Sequence, residues 1–179
     1  AILSHYENNG LFPPTKGYWF RQEEDDTGYY KNEATDSFID DVPFSDLSFF
    51  NKDNYSWEVF PVMASRGCVN RCTFCNEWTC WPKYQFRNPF KIVQEIKYQK
   101  ERNPQIKAFW LTCSNIGGNI PALNTLCDEI IREGLHISWD SQMAIRKEIT
   151  PELLKKMKES GCNYLHYGLE SASNKVLKL

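Results

Sequence analysis

From Glu58 onward the chain alternates short apolar runs with amphipathic stretches that carry helix start and stop signals, and this order constrains the fold more than any other feature. Val59-Phe60-Pro61-Val62-Met63-Ala64 predicts a first strand, with Pro61 restricting the edge at which it can pair. Asn88 and Pro89 supply an N-cap and a first-turn proline, and Ile92, Val93 and Ile96 recur at helical spacing up to Lys100. Residues 106–111 predict a second strand. Pro121 opens a second helix, whose Leu123, Leu126, Cys127, Ile130 and Ile131 form one apolar stripe that Gly134 terminates. Residues 135–139 predict a third strand, Thr150-Pro151 starts a third helix bearing Leu153, Leu154 and Met157 and ending at Gly161, and residues 164–169 predict a fourth strand.

Strand and helix in strict turn imply parallel strands joined by right-handed crossovers, hence an α/β fold built on an open sheet or part of a barrel. In such folds ligands bind beyond the carboxyl ends of the strands. The segments that fall there are the cysteine loop after strand one, residues 113–119 after strand two, 140–146 after strand three and Glu170-Ser171 after strand four. All four are polar, and periodicity alone gathers them on one rim.

The cysteine loop carries the chemistry. Cys68, Cys72 and Cys75 sit in Arg66-Gly67-Cys68-Val69-Asn70-Arg71-Cys72-Thr73-Phe74-Cys75. Three thiols this close on one loop can hold three corners of an iron–sulfur cube and leave the fourth iron open to a reactant. Two other readings stand beside that one. Cys80 follows closely enough to complete a four-thiolate zinc knot that stabilises a binding module, although zinc sites usually pair their cysteines across a longer gap. With Cys80 as fourth ligand the cluster would instead be closed, as in a non-catalytic iron–sulfur protein. Cys127 on its apolar stripe and Cys162 in an apolar stretch read as core residues.

The spacing C-x3-C-x2-C, with Phe74 just before the last cysteine, resembles the signature of the radical S-adenosylmethionine (SAM) superfamily. Phe86-Arg87-Asn88-Pro89-Phe90, Leu153-Leu154-Lys155-Lys156-Met157 and Tyr167-Gly168-Leu169-Glu170-Ser171 are similar to that family too, most of all to the subgroup that carries a cobalamin-binding domain upstream. The resemblance implies a partial, four-unit parallel βα barrel over residues 58–179, preceded by an irregular hairpin and linker over 1–57. It implies a [4Fe–4S] cluster on Cys68, Cys72 and Cys75 that reductively cleaves SAM to a 5′-deoxyadenosyl radical, for hydrogen abstraction or methyl transfer on a substrate the sequence does not specify. A one-electron donor such as flavodoxin or ferredoxin is the implied partner. Phe74 is expected against the adenine, Glu170 and Ser171 at the ribose or methionine amine, and Gln142 and Arg146 at the methionine carboxylate, Arg for its planar fork. Gly117-Gly118-Asn119 occupies the region where relatives carry Gly-Gly-Glu; the acid is missing here, and the glycines either approach the cofactor or feed the cap of the next helix. No Asp-x-His-x-x-Gly run is present, so cobalamin is expected only through a domain outside this chain.

Composition narrows the partners. Hydrophobic residues at 41% and charged residues at 25% describe an ordinary globular chain, and a net charge of -2 without blocks of like charge gives no footprint for nucleic acid. No apolar stretch reaches bilayer length and the first residues lack signal-peptide order, so a cytoplasmic protein is expected. An odd number of cysteines, three of them clustered, suits a reducing compartment. The start without Met and the end at Leu179 suggest a piece of a longer protein. In the first segment, Gly17-Tyr18-Trp19-Phe20 and Gly28-Tyr29-Tyr30 flank a polar turn and read as a hairpin, and Asp40-Asp41-Val42-Pro43-Phe44 reads as an extended connector whose aromatic packs on the following domain.

Overall fold

The computed structural model describes residues 19–21, 29–31, 39–46 and 58–178. Two compact units divide the chain, Ala1–Phe38 and Ile39–Leu179. In the first, β1 (Trp19–Arg21) and β2 (Tyr29–Lys31) pair antiparallel with Trp19 opposite Lys31, forming the two arms of the expected hairpin. Its turn, residues 22–28, lies outside the described residues, as do Gly17 and Tyr18.

In the second unit a four-stranded parallel sheet runs in the order β3 (Val59–Met63), β6 (Ala108–Thr112), β7 (Ser138–Gln142), β8 (Cys162–His166). A two-residue ladder pairs β4 (Ser65–Arg66) with β5 (Gln85–Phe86), closing the base of the cysteine loop, which also holds the single-turn helix α1 (Glu77–Cys80). Three longer helices cross over: α2 (Pro89–Arg102), α3 (Ile120–Arg132) and α4 (Pro151–Glu159). Each has proline in its first turn and a side-chain N-cap, with Asn88 accepting from Phe90 N, Asn119 from Ala122 N and Thr150 from Leu153 N. This is the α/β architecture of a partial βα barrel.

Alternation along each strand separates two faces. Phe60 and Val62 of β3, Phe109 and Leu111 of β6 and Trp139 of β7 point into the core, where Ile92, Ile96, Leu123, Leu126, Ile130, Leu153 and Met157 cover them. Cys127 and Cys162 are buried in that core. The opposite face carries Pro61, Trp110, Asp140 and Tyr164, which are aligned across the sheet by its register.

Two strands lie elsewhere than the sequence predicts. β7 runs Ser138–Gln142 rather than 135–139, because the residues after α3 are used to end it: Leu135 N bonds to Ile130 O and Ile137 N to Leu135 O. The strand then continues into polar residues, since the buried Ser141 hydroxyl donates to Leu111 O at 2.7 Å. β8 runs Cys162–His166 rather than 164–169, starting directly after Gly161. Gly161 adopts φ +97°, and a side chain there would collide with Ile137 O, so the turn into β8 requires glycine. Leu169, apolar but 66% exposed, has left the sheet.

Residues 39–46 pack on α2 within the second unit. Asp40 accepts from Asn88 N at 2.6 Å, Lys91 Nζ donates to Asp40 O, and Phe44 meets Tyr98 with ring centroids 5.6 Å apart. Behind them Arg87 and Glu95 form a buried ion pair.

Candidate metal and cofactor site

The loop between β4 and β5 is held open by its own hydrogen bonds. Cys75 N bonds to Cys72 O at 3.1 Å, and the Arg71 guanidinium reaches Cys68 O and Pro82 O, tying the start of the loop to its end. Arg66 stacks over Trp81 at 4.4 Å and Arg71 lies 5.8 Å from the Trp78 ring, so two cations flank the thiols. Asn70 N points at Cys68 Sγ and Glu77 N at Cys75 Sγ, both at 3.4 Å. Backbone N–H groups aimed at sulfur stabilise the negative charge of thiolates and of the clusters they hold.

Cys68, Cys72 and Cys75 line one cleft of about 410 Å³, a volume suited to a nucleoside-sized ligand. Facing them across the cleft are Gln142 at the end of β7 with Met143 and Ala144 after it, and His166, Tyr167, Gly168 and Glu170 at and beyond the end of β8, with Phe74, Glu77 and Ser114 completing the wall. The carboxyl ends of the strands therefore meet at the thiols. All seven cysteines are free of disulfides. Cys80 is exposed on α1 and does not line the cleft. Among the described residues no three His, Cys, Asp or Glu side chains converge on a single ion. Three thiols on one cleft wall are a donor set that a cluster with one open iron can use. Burial makes three other thiols chemically quiet, pushing Cys127 up to about 11 and Cys162 up to about 12 and raising Cys113, whose Sγ sits 3.1 Å from Ser141 Oγ.

Of the remaining expected site residues, Phe74, Gln142 and Glu170 lie in the cleft and four others do not. Glu170 adopts φ 55°, a left-handed conformation costly for a residue with a side chain, at the point where the chain turns into the cleft wall. Ser171 uses its Oγ to accept from Ser173 N, the structural role of a turn cap. Gly117 is buried behind the cleft, where an added Cβ would meet Met143 Sδ at 3.1 Å. Gly118 lies beneath Tyr84, where a Cβ would come within 2.5 Å of the ring. The double glycine is thus a packing requirement of the turn Ile116–Gly118 that leads into the Asn119 cap. Arg146 lies beside the cleft, not in it, donating to Gly117 O at 3.4 Å.

That packing has a measurable consequence. Tyr84 donates to Asn115 O at 3.1 Å, and the buried Asn115 side chain accepts from Gly117 N and Ala144 N, so one chain of contacts joins the cysteine loop to the opposite cleft wall. Burial pushes Tyr84 up to about 12, which keeps its hydroxyl a donor. Gly118→Ala is expected to displace the ring and destabilise the protein by about 1–3 kcal/mol, read by denaturant unfolding.

Sequence reasoning missed Glu77, Tyr84, Asn115 and His166. Glu77 accepts from Ser114 Oγ at 2.5 Å, placing a carboxylate beside Cys75 at the end of β6. His166 Nε2 lies 3.5 Å from Asp140 Oδ2 and its ring 5.0 Å from that of Trp110, forming the floor of the cleft. Period-2 alternation puts Asp140 on the open face; the one-residue bulge sets Asp140 opposite Tyr164 and Gln142 opposite His166, which hid the side-chain contact between Asp140 and His166.

Fold and site together define a partial βα-barrel enzyme with a thiol loop at the carboxyl ends of its strands. A family model described as the radical SAM superfamily matches residues 62–179, more than half of the chain, and the chain belongs to that superfamily. It is 26% identical over 144 residues to an uncharacterized methyltransferase of Pyrococcus horikoshii, covering 78% of this chain and 31% of that protein. It is 30% identical over 142 residues to the anaerobic magnesium-protoporphyrin IX monomethyl ester cyclase of Cereibacter sphaeroides, covering 72% and 22%. It is 24% identical over 123 residues to the bacteriochlorophyllide d C-12(1)-methyltransferase of Chlorobaculum tepidum, covering 68% and 26%. The chain spans less than a third of the length of each of these relatives. Among the described residues no helix is long and apolar enough to cross a membrane.

Proposed function

We propose that this chain is the cluster-binding part of a radical SAM enzyme whose reaction is methyl transfer or ring closure at an unactivated carbon. The observation that carries the reading is the placement of Cys68, Cys72 and Cys75 in one cleft with Phe74, Gln142 and Glu170, at the carboxyl ends of a parallel sheet. The names of the methyltransferase and cyclase relatives support the reaction class. Cys68, Cys72 and Cys75 hold a [4Fe–4S] cluster. When bound, such a cluster supplies a free iron for the methionine moiety of SAM and one electron for its reductive cleavage. The electron comes from a small carrier such as flavodoxin or ferredoxin, and cobalamin, if used, binds outside this chain.

The chain's own residues bind and orient. Phe74 covers the adenine, Glu170 accepts from ribose hydroxyls, and Gln142 donates to the methionine carboxylate. Glu77, held by Ser114, takes the methionine ammonium and stands in for the acid absent after Gly117-Gly118. Walls from three strand ends exclude water around the bound sulfonium. The test is anaerobic: the full-length protein, reconstituted with iron and sulfide and given dithionite, is expected to release 5′-deoxyadenosine from SAM. A full cluster with no release overturns the proposal.

Glu77→Gln is expected to weaken S-adenosylhomocysteine binding about tenfold to a hundredfold, the range for losing a hydrogen bond between charged groups, with iron content unchanged. An analogue lacking the amino group should bind both forms equally. An equal loss for that analogue would remove the assignment.

A further inference from the structure

Beside the cleft lies a second recess of about 420 Å³, bounded by Ile145, Arg146, Ile149, Tyr167 and Leu169. Four of these five side chains are hydrophobic and one is a cation. Ile145 and Leu169 are 68% and 66% exposed, so large apolar side chains stand open around a guanidinium. Open apolar walls around one charged group are the pattern of a ligand site, the walls giving affinity and the charge fixing orientation.

Arg146 is anchored and yet unsaturated. Nη1 donates to Gly117 O at 3.4 Å and Nε lies 3.3 Å from Glu148 Oε2, both longer than the distances of a strong charge-assisted bond. Nη2 has no hydrogen-bond partner among the described residues. Asn115 fixes the two segments that carry this arrangement, accepting from Gly117 N and from Ala144 N. The guanidinium is therefore held in place with donor capacity left over. Its fork matches a carboxylate, and Glu148, 42% exposed, engages only the Nε edge.

The recess adjoins the reaction cleft. Tyr167 lines both, and Ile145 directly follows Ala144 of the cleft wall. A molecule seated on Arg146 with its body along Ile145 and Leu169 thus extends past Tyr167 toward the thiols. We propose that this recess is the substrate side of the cleft and takes an amphipathic carboxylate, its acid group on Arg146 and its apolar body against Ile145, Tyr167 and Leu169. The assignment rests on the radical SAM reading of the neighbouring cleft and gives Arg146 to the substrate instead of the cofactor's carboxylate.

The probes are 2-naphthoate and its neutral counterpart 2-naphthalenemethanol, titrated by fluorescence into the anaerobically reconstituted full-length protein with and without S-adenosylhomocysteine. Naphthoate is expected to bind about tenfold or more tightly than the alcohol, the scale of a carboxylate–guanidinium hydrogen bond. Arg146→Met should abolish that preference while leaving iron content and S-adenosylhomocysteine affinity within about twofold. Leu169→Glu, on the exposed rim, should also lower naphthoate binding by placing a like charge beside the acid, and it serves if Arg146→Met does not fold. Equal binding of acid and alcohol, unchanged naphthoate affinity in Arg146→Met, or no binding of either probe because other parts of the protein fill the recess would each overturn the proposal. So would a fall in S-adenosylhomocysteine affinity alone, which would return Arg146 to the cofactor. If unaltered protein fails to bind S-adenosylhomocysteine, the cofactor reading falls, and the preference for acid over alcohol still decides the recess.

Discussion

Cys72→Ala is expected to reduce the iron bound after anaerobic reconstitution to below about one-tenth of the unaltered protein's and to abolish SAM cleavage. Cys72 is the middle one of the three proposed ligands, and its backbone carbonyl, which accepts the Cys75 amide, is kept in the alanine variant, so the substitution tests the sulfur alone. Removing its sulfur leaves two protein ligands, and a cube held at two corners has a second iron open to solvent and oxidation. Cys80→Ala is the matching control. Cys80 is exposed and outside the cleft, so its loss should leave iron content and cleavage unchanged. A zinc knot or a closed four-thiolate cluster would require the reverse, with Cys80 as indispensable as Cys72. Iron and sulfide analysis beside the visible spectrum separates these outcomes, and a Cys72→Ala protein with a full cluster would sink the ligand assignment.

The order of strands and helices was legible because each helix announces itself twice, by an apolar stripe and by a capped, proline-bearing start. Asn88-Pro89, Asn119 before Pro121, and Thr150-Pro151 all form the caps their residue types suggest. Strand limits were less legible, since short apolar runs such as 135–139 do not distinguish a strand from the turn that ends a helix. The buried hydroxyl of Ser141 pulled β7 into polar sequence, against its composition. The thiol loop was legible from spacing alone. What spacing cannot give is which rim residues face inward. Glu77 lies only two residues beyond Cys75, yet its partner Ser114 is 37 residues away, and only the fold brings them together. Gly117 and Gly118 show the converse: a motif-like pair whose room is taken by Met143 and Tyr84. Arg87, recognisable in sequence only as part of a run before a helix cap, is 1% exposed.

That buried arginine carries the second large effect. Glu95→Ala is expected to destabilise the protein by about 3–5 kcal/mol, because removing one partner of a buried ion pair leaves the other charge uncompensated in a low-dielectric interior. Among the described residues Arg87 would retain only Met63 O at 3.3 Å and the face of Phe44 at 5.8 Å, while its Nε and Nη2 lack hydrogen-bond partners there. Glu95 also accepts from Ser45 N at 3.2 Å, so the same substitution removes one of the bonds that hold residues 39–46 on α2, while Gln99 still donates to Ser45 O at 2.6 Å. Two costs are combined in one side chain, and a double-mutant cycle separates them. Arg87→Met with Glu95→Met removes both charges at similar volume and is expected to recover most of the loss, since a buried pair and a well-packed apolar replacement are often close in stability. Denaturant unfolding of the single and double variants reads the difference. If the double variant is as unstable as Glu95→Ala, the ion pair itself is not what holds the segment, and the hydrogen bond from Ser45 N to Glu95 carries the effect.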